Sequence, residues 1–96
     1  MATLYRLVVL TPDRTVCDDE VSALVAPGAA GSLGILAGHA PLATPLAAGR
    51  VEWTDAHGRR RSGAIEGTGF LEVANTGVTL LAEGVTLAPN PPEKNA

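Results

Sequence analysis

Short runs of aliphatic and β-branched residues recur along this chain, separated by residues that favour turns. In the clearest run, Val51 and Trp53 alternate with Glu52 and Thr54, which is the two-residue period of a half-buried strand. Such runs predict strands at residues 4–10, 14–17, 21–26, 51–54, 59–65, 70–73, 78–82 and 85–87. No long window carries a helical apolar stripe free of Gly and Pro. The pattern therefore predicts an all-β fold, either a sandwich or a barrel.

Turn-forming sequences set the boundaries of these strands. Three segments combine Pro, Asp, Asn or Gly, which favour tight turns: residues 11–13, 55–58 and 75–77. The acidic run at 18–20 is interpreted as a charged, exposed turn, and Glu83-Gly84 as a break between the last two strands. The connections are short, as expected for a small domain of antiparallel strands.

Residues 21–49 contain no Asp, Glu, Lys or Arg, which raises the question of a membrane span. Pro27, Pro41 and Pro45 argue against one, because each interior proline costs a helix about 3 kcal/mol. We interpret the segment as soluble structure, with an uncharged surface that faces something other than water. At its centre lies GSLGILAGHAPL, residues 31–42.

Length and charge narrow the class of protein. The 96 residues suit one domain, predicted at 1–88, followed by a Pro-rich, flexible and disordered tail at 89–96. The net charge is −3 and Lys94 is the single lysine, which disfavours nucleic-acid binding. The run at 59–61 is three arginines, which suit a solvated turn or a local anionic partner.

Cys17 has no partner for a disulfide, and no signal peptide is visible, which favours the cytoplasm.

Motifs for catalysis and cofactors are missing from the sequence. The glycines at 28, 31, 34 and 38 match neither nucleotide-loop pattern, and no lysine lies near them. The two histidines, Cys17 and Asp18 have no zinc-ligand spacing, and Cys17 suits a small buried apolar residue. We therefore predict no catalytic residue, no cofactor and no metal site.

Three stretches resemble the epsilon subunit of F-type ATP synthases. Pro27-Gly28 followed by GSLGILAGHAPL is similar to that family's PG and G-x-x-G-I-L-P-G-H-A-P-L signature. VVLTPDRTVCDDEVSALVAPG resembles the family's opening, and GTGFLEVANTGVTLLAE resembles its G-G-F-x-E-V stretch. The resemblance covers about residues 3–83.

The resemblance implies a single β-sandwich of about ten short, mostly antiparallel strands. It implies a non-catalytic central-stalk subunit, which docks the gamma shaft to the c-ring and helps to couple rotation to ATP synthesis and hydrolysis. It implies a peripheral place at the cytoplasmic face of the bacterial inner membrane, without direct membrane insertion. The implied contacts are His39, Ala40, Pro41 and Leu42 for gamma, and Gly31 and Ser32 for the c-ring.

The sequence departs from the family pattern in four places. Ala37 replaces a common proline, Thr68 replaces the first glycine of G-G-F, and Ser32 replaces a common acidic residue. The thirteen residues after Glu83 contain three prolines, too few residues for the family's two C-terminal helices. We therefore expect neither the inhibition of ATP hydrolysis nor the ATP binding associated with those helices. The alternative hypothesis is a free-standing β-sandwich module that binds a small ligand.

Overall fold

A computed structural model describes residues 3–89. These residues form seven strands joined by short turns, with no helix among them. The strands are β1 (Tyr5–Thr11), β2 (Arg14–Gly28), β3 (Gly31–Leu36), β4 (Leu42–Leu46), β5 (Gly49–Asp55), β6 (Arg60–Ala74) and β7 (Gly77–Leu87). The predicted all-β class is confirmed.

Strand pairing closes the fold into a flattened ring. β1 pairs with β2, β2 with β5, β5 with β6, and β6 with β7, all antiparallel. The ring closes where β7 pairs with β1, the one parallel pairing among the described strands. β3 adds to the edge of β2, and β4 pairs mainly with β6. β2 and β6 are long enough to belong to both layers of the sandwich, which places the core between the layers.

The structure has seven strands rather than the expected ten. Three of the seven are longer than the sequence pattern predicts, because they run through segments where it predicts a break. β2 runs through the acidic segment that was expected to be a turn: Asp18, Asp19 and Glu20 each face a residue of β1. Asp18 accepts two hydrogen bonds from the Arg6 guanidinium, at 2.7 and 2.9 Å. Asp18 and Glu20 are exposed and Asp19 is half-buried, so these carboxylates are compatible with extended backbone and the charged run does not end the strand.

The other two long strands continue through glycine-containing segments. In β6, the register shifts between Glu66 and Gly69, so the gap expected between the strands at 59–65 and 70–73 is a β-bulge within one strand. The Thr68 hydroxyl donates a 2.7 Å hydrogen bond to the Glu83 carboxylate on β7. Gly84 lies inside β7, opposite Glu66, so the predicted break at 83–84 is wrong. Pairing with a neighbouring strand continues each strand through a segment whose local sequence favours a strand end.

Mainly aliphatic side chains fill the space between the layers. Val51 and Trp53 point inward on β5, whereas Glu52 and Thr54 point outward, which confirms the alternation in the sequence. The largest fully buried side chains are Leu7, Leu24, Ile35, Leu71, Leu80, Val9, Val21 and Val51. The core fixes which residues of each strand remain on the outer faces.

Candidate interaction surfaces

The uncharged segment 31–42 is only partly a loop. Its first half is β3, which pairs with β2 over its whole length. The reason is the alternation within GSLGIL: Ile35 is buried and Leu33 packs against the core, whereas Ser32, Gly34 and Leu36 face outward. Residues 37–41 connect β3 to β4.

Gly31 and Ser32, the predicted c-ring contacts, lie at the tight turn between β2 and β3. Gly31 pairs with Gly28. Its φ of +138° is a backbone conformation that residues with a side chain rarely adopt. Both Gly31 and Ser32 are exposed. Gly28 also pairs with Leu46, so the end of β4 approaches the same turn. The local backbone therefore presents these two residues at one end of the sandwich.

The predicted gamma contacts lie at the opposite end of β3. Gly38 has φ +83°, and the His39 amide donates to the Leu36 carbonyl at 3.1 Å, which closes the turn. The His39 ring nitrogen Nδ1 lies 2.7 Å from the Ala40 carbonyl oxygen. His39, Ala40 and Pro41 are exposed, and Leu42 is half-buried. At about 3.3 Å per residue, β3 keeps the two predicted contact sets roughly 16 Å apart.

An open cleft of about 500 Å³ lies beside His39. It is bounded by the start of β1, the β3–β4 connection and the turn between β6 and β7. Two of its polar side chains already have partners. The Tyr5 hydroxyl donates to the Ile35 carbonyl at 2.7 Å, and burial raises the pKa of Tyr5 to about 12. Arg6 is paired with Asp18. These groups support the fold, and the cleft carries no second candidate function.

One outer face carries a row of apolar side chains that sequence reasoning missed. Leu10 on β1 lies opposite Leu81 on β7, Leu81 opposite Phe70 on β6, and Phe70 opposite Pro45 on β4. Directly paired residues point to the same face, so these four form a continuous line, here called the apolar row. Phe70 and Leu81 are each 45% exposed. The line crosses four strands without a charge.

The sequence did contain a signal for this row. Phe70-Leu71 and Leu80-Leu81 are adjacent apolar pairs in strands that otherwise alternate. Leu71 and Leu80 are fully buried, so their neighbours must face outward. A strand that is apolar on both faces indicates that both faces are covered. The pairs were assigned to strands, but the exposed member of each pair was not recognised.

The turn after β5 is fixed by a buried carboxylate. Asp55 accepts hydrogen bonds from the backbone amides of His57 and Arg59, at 2.9 and 3.0 Å. Desolvation opposes ionisation, but these backbone hydrogen bonds keep the pKa of Asp55 below its usual value. The predicted turn at 55–58 is confirmed, and the arginine run begins directly after it.

The other residue types considered for catalysis or metal binding do not come together in one site among residues 3–89. Cys17 is half-buried, and burial raises the pKa of its thiol. Within residues 3–89, no three His, Cys, Asp or Glu side chains come together as metal ligands. Over the same residues, no helix has the length and apolar character needed to cross a membrane.

Fold and surface together define a class: a β-sandwich domain whose candidate sites are exposed surfaces. Residues 4–88 match the family model described as ATP synthase, Delta/Epsilon chain, beta-sandwich domain. The chain belongs to this family.

Relatives and solved structures agree with the assignment. The chain is 44% identical over 82 residues to the ATP synthase epsilon chain of Latilactobacillus sakei, covering 83% of this chain and 56% of the relative. It is 42% identical over 83 residues to that of Desulforamulus reducens, covering 86% and 61%. The chain thus spans about three fifths of the length of these curated relatives.

The fold is similar to a chain in the OSCP/F1/c-ring structure of the Euglena gracilis mitochondrial ATP synthase. The TM-score is 0.81 at 25% identity, covering 91% of this chain and 55% of that chain. A chain in the central stalk/c-ring structure of the Tetrahymena thermophila enzyme has a TM-score of 0.69 at 15% identity, covering 88% and 66%. The second likeness supports the fold alone.

Proposed function

We propose that this sandwich is a non-catalytic central-stalk subunit of an F-type ATP synthase. It docks the gamma shaft to the c-ring and helps to transmit rotation between them. The proposal places it in a membrane-associated complex, peripherally at the cytoplasmic face of a bacterial inner membrane. The observation that carries the proposal is the apolar row, an uncharged line of four side chains across four strands of an epsilon-family sandwich.

The gamma contact combines the apolar row with the predicted residues His39 to Leu42. β4 joins the two, because it starts at Leu42 and carries Pro45 in the row. Burial of large side chains such as Phe70 and Leu81 supplies a non-directional attraction, while the exposed His39 ring offers a polar contact at the rim. Because the strands hold these side chains in place, docking requires little ordering of the backbone.

The c-ring contact is proposed at Gly31 and Ser32. These residues lie at the other end of β3, so one rigid strand separates the two partners. Ser32 offers a hydroxyl where related chains commonly carry an acid, so this contact depends on hydrogen bonding rather than on an ion pair. The closed strand pairing of the sandwich links the two contacts, so rotation of one partner would be passed to the other.

Co-purification with the cognate gamma subunit tests the proposal. We expect a complex at micromolar concentration, which Phe70→Asp weakens at least about tenfold because it places a charge in an apolar contact. Val25→Asp is the matched control, since Val25 is also exposed but lies on the outer face of the other layer, where β2 pairs with β3 and β5. Absence of binding by the unmodified chain contradicts the function. Equal losses in the two variants contradict the assignment of the apolar row.

A further inference from the structure

β3 has one edge without a neighbouring strand, because among the described strands it pairs with β2 alone. Residue pairs of an antiparallel ladder alternate between pairs that exchange two hydrogen bonds and pairs that exchange none. Pro27 has no N–H, so the pair of Pro27 and Ser32 is of the second kind. The β3 residues bonded to β2 are therefore Gly31, Leu33 and Ile35, and the backbone groups of the residues between them point away from β2.

The outward-pointing backbone groups belong to Ser32, Gly34 and Leu36, which are all exposed. Within residues 3–89, one of these groups has a backbone partner: the Leu36 carbonyl accepts from the His39 amide at 3.1 Å. The three amides and the carbonyls of Ser32 and Gly34 face water along roughly 13 Å of extended backbone. Donors and acceptors in this arrangement match the backbone of a further strand.

Two other strand edges carry protection against pairing with a further strand. On β4, the edge away from β6 carries Pro45, which has no N–H and whose carbonyl accepts from the Ala29 amide at 3.1 Å. The part of β2 that lies beyond β5 carries the acidic residues 18–20. β3 has none of these devices, because Gly31–Leu36 contains no charge and no proline and pairs with β2 without a register shift. An unprotected edge favours strand addition.

The kind of occupant follows from the groups on the edge and from where the edge ends. A helix bonds its own N–H and C=O groups internally, so a segment that satisfies the β3 edge must be extended. At Leu36 the edge meets the turn that the His39 amide closes, and residues 39–42 are the proposed gamma contact. A partner segment that follows β3 therefore continues that contact without a break.

We propose that the gamma subunit contributes an extended segment that adds as a strand to the free edge of β3, from Leu36 towards Ser32. The identity of the partner rests on the proposed function. Backbone hydrogen bonds at this edge add to the side-chain contact made by the apolar row. The apolar row lies on the layer of β4, β6, β7 and β1, whereas β3 extends the layer of β2 and β5. Gamma thus holds both layers, which resists tilting of the sandwich on the shaft.

Strand addition at β3 is compatible with the proposed c-ring contact. In a strand, the backbone hydrogen bonds lie in the plane of the sheet, whereas side chains project from its faces. The Ser32 hydroxyl therefore stays available to the c-ring while the Ser32 backbone pairs with gamma. The added strand extends the gamma contact along β3 towards the c-ring end of the sandwich.

Substitution of Gly34 tests the edge amide directly. Gly34 is not among the glycines with positive φ, and a Cβ there would have no heavy atom within 4 Å. Gly34→Pro removes the outward N–H and is compatible with an edge strand, whereas Gly34→Ala keeps the N–H and is the matched control. In titrations of the folded variants against the cognate gamma subunit, we expect Gly34→Pro to weaken binding at least about tenfold and Gly34→Ala less than about twofold.

Hydrogen exchange of the unmodified chain provides a second readout that needs no substitution. We expect the amides of Ser32, Gly34 and Leu36 to exchange at least about 100-fold more slowly in the gamma complex than in the free chain, because they gain hydrogen bonds. The amides of Leu33 and Ile35 are the internal reference, since they are bonded to β2 in both states.

Each outcome decides for or against the inference. Unchanged exchange at the three edge amides overturns it, and so do equal losses of binding in Gly34→Pro and Gly34→Ala. Protection that depends on the concentration of the free chain assigns the edge to a second copy and also overturns it. If Phe70→Asp weakens the complex while Gly34→Pro does not, the proposed function stands and only strand addition is lost. If the unmodified chain does not bind gamma, both are lost.

Discussion

At the scale of single residues, Asp55 shows how one buried carboxylate organises a turn. Its Oδ1 accepts both backbone hydrogen bonds, from His57 and from Arg59. The Asp55 backbone completes the turn, because its amide donates to the Arg59 carbonyl and its carbonyl accepts from Gly58. Since the folded-state pKa is lowered, the contribution to stability is present above the unfolded pKa near 3.9 and is lost as pH falls through the folded pKa.

We expect Asp55→Ala to lower the free energy of unfolding at pH 7 by about 2 kcal/mol, because two charge-assisted hydrogen bonds are lost. Asp55→Asn keeps an acceptor at the same place but loses the charge, so its cost should be about half as large. Urea denaturation between pH 7 and pH 2 measures both. The deficits of both variants should shrink towards low pH, whereas the exposed control Glu72→Gln should change little. Deficits that are constant with pH would contradict the role of the ionised carboxylate.

At the scale of elements, the turns between strands depend on glycines for two different reasons. Gly58 has φ +79° and open space around it, so only backbone strain opposes a side chain there. Gly77 has φ +141°, and a Cβ at this position would lie 2.7 Å from the Arg6 carbonyl oxygen. The β6–β7 turn is therefore constrained by its approach to β1 as well as by its own geometry.

Gly77→Ala should accordingly destabilise more than Gly58→Ala. We expect about 2–4 kcal/mol for the first, from strain plus the clash with β1, and about 1 kcal/mol for the second, from strain alone. Thermal unfolding of the two variants beside the unmodified chain provides the measurement. Similar costs at the two positions would mean that β1 moves aside easily.

Elements also show where sequence patterns fail. Three segments were identified as turns because Pro, Asp, Asn and Gly favour turns locally: residues 11–13, 55–58 and 75–77. Residues 18–20 and 83–84 were misassigned because a charged or glycine-containing segment looks the same in an exposed strand and in a turn. Pairing with β1 and β6 decides these cases, and such pairing is non-local.

At the scale of the whole molecule, adjacent residues of one strand serve opposite purposes. Leu80 is fully buried in the core, whereas Leu81 is 45% exposed on the apolar row. Within residues 3–89, one sandwich thus carries a core between its layers and apolar groups on both outer faces. Exposed apolar groups that form a continuous patch are typical of surfaces that contact other molecules.

Stability and binding measurements can distinguish the roles of Leu80 and Leu81. Leu80→Ala should lower the free energy of unfolding by about 2–5 kcal/mol, because it leaves a cavity in the core. Leu81→Ala should cost less than about 1 kcal/mol, since its side chain faces outward. Binding to gamma should show the reverse order when it is measured under conditions where both variants are folded. Equal losses of stability would contradict the two-sided arrangement of β7.

The sequence by itself determined the all-β class, the inward alternation around Val51 and Trp53, three of the turns and the family resemblance, because these depend on local residue chemistry and spacing. Only the tertiary structure decided that three strands run through apparent breaks and that segment 31–42 is half strand. It also decided which apolar residues meet outside the core. Leu10, Leu81, Phe70 and Pro45 come from four strands, and their alignment depends on the register of long-range backbone pairing rather than on any local pattern.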